Sequence, residues 1–71
     1  MRERIYKALI SRYTSQMEDG LLKIDMLMKN SASHAVMVEH VDITGEIDKL
    51  LSQVAEAEEK MATLRLFYST N

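Results

Sequence analysis

The chain has 71 residues, no cysteine, no proline, two glycines, and a net charge of −2 from nine basic and eleven acidic side chains. That length holds one small domain, the missing cysteines exclude disulfides and thiolate–zinc sites, and the near-balanced charge excludes a global attraction to nucleic acid or anionic membrane. A core of this size rarely supplies more than ~3–5 kcal/mol alone, so self-association or a partner is the reinforcement left.

The first stretch, "MRERIYKALISRY", carries charges at 2, 3, 4, 7 and 12 and so lacks the apolar run of an export signal. No segment approaches the ~18 apolar residues that span a bilayer. The expectation is a cytoplasmic protein without a membrane segment. Tyr6, Ile10, Tyr13, Met17, Gly20, Ile24 and Leu27 follow at alternating intervals of three and four, flanked by Leu9, Leu21 and Met28. This spacing predicts a helix over about 3–30 with one apolar seam. Gly20 weakens it by ~1 kcal/mol relative to alanine. Glu3 with Lys7, Asp19 with Lys23, and Asp25 with Lys29 place acid four residues before base, the favourable order on a helix.

Residues 31–41 form the expected connection, and its apolar stretch "AVMVEHV" is unusual for a helix–helix turn. Three readings compete. His34, Glu39, His40 and Asp42 are metal-ligand types, but their spacing matches no established site, so no metal is assigned. Val36, Val38 and Met37 could instead fold back over Leu22 and Met26, which stand four apart near the same end. Alternatively, Val36, Met37, Val38, Glu39 and His40 form a recognition tip, since an adaptable methionine between exposed valines suits a protein partner.

The second half has the cleaner pattern. Ile43, Ile47, Leu50, Val54, Ala57, Met61, Leu64 and Tyr68 keep a period near 3.5, with Leu51, Ala55 and Ala62 widening the stripe. A helix over about 42–68 follows, with Asp42 or Thr44 as N-cap and Glu56–Lys60 as a further i,i+4 pair. Folded back antiparallel, the two seams match: Leu27 meets Ile47, Gly20 meets Val54, Met17 meets Ala57, Tyr13 meets Met61, and Tyr6 meets Tyr68. Small residues face larger ones, and Tyr13 is placed for a sulfur–aromatic contact with Met61. The fold class is all-α, an antiparallel helical hairpin with arms of roughly 40 Å. Two helices cannot enclose their own seam, so the flanking Leu9, Leu21, Met28, Leu51, Ala55 and Ala62 stay partly wet. Homodimerisation into a four-helix bundle would cover them.

The open end gathers Arg2, Arg4, Lys7, Arg12, Lys60 and Arg65 beside Tyr6, Tyr13, Phe67 and Tyr68. Basic side chains with interleaved aromatics suit single-stranded nucleic acid. Three tyrosines already occupy seam positions, however, leaving Phe67 to stack, and Glu3, Glu58 and Glu59 dilute the field. Enzymatic chemistry has no foothold: no nucleophile–base spacing, no phosphate loop, no paired carboxylates around a pocket. No cofactor is implied.

The stretch "VEHVDITGEIDKLLSQVAEAEEKMATL", residues 38–64, resembles segments of short, uncharacterised phage-encoded helical-hairpin proteins. Those join two helices through an "EH-x-DI" turn and carry an "AEAEEK" run. Where they often have proline after the histidine, this chain has Val41. The resemblance implies a helical hairpin in a phage setting, hence the host cytoplasm, and carries no activity, ligand or site. The expected function is a small non-enzymatic protein–protein interaction module of accessory, adaptor or inhibitor type. The alternative is a nucleic-acid-binding helical dimer using Arg2, Arg4, Lys7, Arg12, Arg65 and Phe67.

Overall fold

The computed structural model describes residues 1–34 and 42–69, with the backbone path alone for 30–34. Two helices, α1 (Arg2–His34) and α2 (Ile43–Tyr68), pack antiparallel as a hairpin. The absence of proline lets both run without a break, and an acid in each first turn, Glu3 and Glu46, complements the positive helix end. Three of the expected i,i+4 pairs are formed: Glu3–Lys7 at 3.2 Å, Asp19–Lys23 at 3.0 Å and Glu56–Lys60 at 2.9 Å. All are solvated and tune the helices by tenths of a kcal/mol at most.

Asp42 is the N-cap of α2. Its carboxylate accepts the Gly45 N–H at 2.9 Å and the Thr44 hydroxyl at 3.0 Å, while its carbonyl accepts the Glu46 N–H at 3.0 Å. A Cβ on Gly45 would overlap that carboxylate, so the cap depends on the glycine. The Gly45 N–H foremost, then the Thr44 hydroxyl, holds the Asp42 carboxyl below its ordinary value of 3.8. A lowered value means that the cap stabilises the fold above the unfolded-state pKa and is lost as pH falls through the folded one. We therefore expect amide protection at residues 45 and 46 to hold down to about pH 4 and to drop as pH falls further. Asp42→Asn should remove that dependence while keeping a cap. Protection unchanged across this range in the parent chain would show that the carboxylate does not hold the turn.

The expected register holds at the centre. Gly20, Ile24, Val54, Ala57 and Met61 are buried, and a Cβ on Gly20 would stand 2.7 Å from Val54 Cγ2. The helices approach closely here because α1 offers no side chain. Two polar links outside the heptad pattern pin the alignment. The Thr14 hydroxyl donates to the Met61 sulfur at 3.4 Å, and Gln53 Nε2 donates to the Gln16 carbonyl at 2.9 Å. The Tyr13 ring, expected beside Met61, carries Lys60 Nζ 5.2 Å above its centroid, a cation–π geometry.

The bounds of the elements differ from expectation. Helix α1 begins one residue earlier, at Arg2, and runs through His34, so 31–34 belong to the helix and not to the connection. Residues 31–34 contain neither glycine nor proline, and each added residue gains a backbone hydrogen bond once a helix exists. The proposed fold-back of residues 36–38 onto Leu22 and Met26 lies outside the described residues. The hairpin measures 52 × 15 × 14 Å, with a radius of gyration of 16.2 Å against ~11 Å for a compact domain of this length. Its accessible surface of 5753 Å² exceeds the ~4,500 Å² of a compact 8.2 kDa monomer.

Candidate functional site

Among the described residues the buried apolar side chains are Ile24, Val54, Ala57 and Met61. Leu21, Leu22, Met26, Met28, Leu51, Leu66, Phe67 and Tyr68 are each at least 40% exposed. Because successive helical residues turn by ~100°, the rod has two distinct long edges. Along one, the middle is polar: Gln53 bonds Gln16, and a shallow groove there is lined by Gln16, Lys49, Ser52, Gln53 and Glu56. On the other edge Met17, Leu21 and Met28 of α1 run beside Leu51, Ala55 and Ala62 of α2. Met17 is half-buried and the other five are exposed.

A second apolar feature sits at the open end. Met1, Arg2, Ile5, Tyr6, Leu9, Leu64 and Tyr68 line an open groove of about 540 Å³. It exists because α2 ends at Tyr68, about a turn short of the start of α1, so among the described residues no turn of α2 faces Met1 and Arg2. Tyr68 was expected in the seam but is 51% exposed, while Tyr6 is half-buried. Leu66, 75% exposed, carries no periodic signal and went unnoticed in the sequence.

The basic residues of the same end do not form one track. Helical turning puts Arg12 and Phe67 toward the groove edge, Lys7 and Arg65 toward the opposite edge, and Arg4 on the back of α1. All five are exposed, as is Arg2, and Lys7 is paired with Glu3. Lys60 is held by Glu56 and lies over Tyr13; its pKa is raised, by the Glu56 hydrogen bond first. A ring of charge around a rod end can attract a polyanion, but one strand following one face meets only part of it.

Of the expected tip, Val36, Met37, Val38, Glu39 and His40 lie outside the described residues. Of the metal-ligand types, Glu39 and His40 lie outside them too, and only the backbone of His34 is described. The Asp42 carboxylate is occupied by its own helix end. Among the described residues no three acidic or histidine side chains cluster as a cation would need. No described helix is long and apolar enough to cross a membrane. Comparison with known proteins finds no matching family model, no similar curated protein and no similar solved structure.

Proposed function

We propose that this chain is a non-enzymatic protein–protein interaction module that supplies half of a helical bundle, the simplest completion being a homodimeric four-helix bundle. One observation carries the reading: a stripe of Met17, Leu21, Met28, Leu51, Ala55 and Ala62 runs along a rod that buries four apolar side chains among its described residues. An apolar edge of that length on so small a chain is the surface that partners use. In the phage setting implied by residues 38–64, such a module would act as a virion accessory or as an inhibitor docked on a host protein. The nucleic-acid alternative draws on the exposed arginines of the open end, without a single face to follow.

The test is solution mass by light scattering over a wide concentration range, with circular dichroism on the same samples. A helical species near twice 8.2 kDa supports the self-paired bundle. A poorly folded monomer that gains helicity only with an added partner supports completion by another protein. A monomer that is fully helical and cooperatively stable at every concentration would overturn the reading, because its exposed edge would then need no cover.

A further inference from the structure

We infer that the pairing surface is the single edge formed by Met17, Leu21, Met28, Leu51, Ala55 and Ala62, and that its occupant is a second copy laid with α1 over α2 of the other and both connections at one end. This rests on the bundle reading above and adds the face, the occupant and the direction.

The choice of face follows from the asymmetry of the two edges. Covering the opposite edge would bury Gln16, Gln53, Lys49 and Glu56, which together form a polar strip already closed by the Gln53–Gln16 bond. Its apolar surface lies toward the open end, in the groove beside Met1, Ile5 and Leu9 and next to Tyr13 and Leu64. The Met17–Leu21–Met28 edge instead carries apolar residues of both helices through the middle of the rod, with Glu58 the acid standing between Ala55 and Ala62. Its α2 side is built from Ala55 and Ala62, whose small side chains let another helix approach closely.

The choice of occupant follows from size and area. At matching heights the edge sets Met17 beside Ala55, Leu21 beside Leu51, and Ile10 beside Ala62, so in two layers a large residue of α1 stands beside an alanine of α2 and in the third the two are equal. A second copy related by a twofold axis along the rod puts each α1 over the other α2, and every large residue then meets a small or equal one. A twofold axis across the rod stacks α1 on α1 and α2 on α2. Large then falls on large in one layer, small on small in the other, and Glu58 approaches Asp48 of the second copy. Two hairpins of 5753 Å² each, condensed toward a compact dimer, would bury at most about 4,000 Å² in total. That lies in the range of about 2,000–5,000 Å² typical of obligate homodimers.

The experiment uses the full chain. Leu21→Glu and Ala55→Glu place charge on exposed positions of the edge, and Leu22→Glu places it on the exposed back of α1. The expected result is a parent dimer, a halved mass for both edge variants, and an unchanged mass for Leu22→Glu. Direction is read separately. The chain has no cysteine, so Arg4→Cys takes a single spin label. Labels at one end of a bundle stand about 20–30 Å apart, and labels at opposite ends about 45 Å. A short distance supports the arrangement, and a long one overturns it while leaving the bundle intact. A dimer indifferent to both edge substitutions overturns the face, and a parent chain that stays monomeric overturns the occupant.

Discussion

Replacing Ile24 by alanine should leave the isolated hairpin largely unfolded. Among the described residues Ile24 is one of four buried apolar side chains and is 5% exposed. Truncating a buried isoleucine costs ~2–5 kcal/mol, the lost transfer energy plus a cavity that its neighbours cannot refill. The whole core of so short a chain supplies roughly 3–5 kcal/mol. The two are of the same size, so little remains. Leu22→Ala, two residues away and 59% exposed, should cost no more than ~0.5 kcal/mol. Urea unfolding followed by circular dichroism at 222 nm compares the two directly. A loss below ~1 kcal/mol for Ile24→Ala would mean that the seam closes over the gap and that stability resides elsewhere. Raising the protein concentration should restore folded signal if a second copy covers the seam.

The second expectation concerns Gly20. Alanine there should gain ~1 kcal/mol of helix propensity and lose ~1–3 kcal/mol to overpacking, so the variant is less stable on balance. The opposing atom decides the sign. Val54 Cγ2 lies 2.7 Å from the new Cβ, on a buried, β-branched side chain with restricted rotamers. The Leu50 carbonyl oxygen, 3.6 Å away, limits retreat in that direction. Relief should come from the other helix: in Gly20→Ala/Val54→Ala the new methyl group fills space that the valine vacates. The double variant should lose at least ~1 kcal/mol less than the sum of the singles. Additive losses would show that the two positions do not touch.

The seam was legible because burial selects apolar residues at every turn, and the period survives even where one position is glycine. Gly20 illustrates the gain and the limit. Its identity pointed to a close approach opposite Val54, but only the backbone geometry shows that a single methyl group is too much. The links that fix the alignment were invisible in advance. Thr14 and Gln53 stand beside the seam, where polar residues carry no periodic signal, and their partners are a sulfur and a main-chain carbonyl. Asp42 was legible as one of two candidate caps, and the structure takes it over Thr44, whose hydroxyl donates to the Asp42 carboxylate. The expected end of α1 at about 30 followed the last seam and flank positions, Leu27 and Met28, whereas the helix continues to His34. The candidate edge was half legible. Leu21, Met28, Leu51, Ala55 and Ala62 stood out as flanks, but which of them share one side required the pairing of Gln53 with Gln16.

The antiparallel register also sets how the molecule responds to force. Met1 and Ser69 lie at the same end of the rod, so tension applied between them would peel α2 from α1 rung by rung. Only the contacts at the fork would bear load at any moment, first those of the open end, then Met61 with Thr14 and Gln53 with Gln16, and last those nearest Asp42. Tension between the open end and the connection would instead slide one helix along the other and load every rung at once. The same contacts would then yield at low force in the first geometry and resist in the second, because rupture rate depends on how many must fail together.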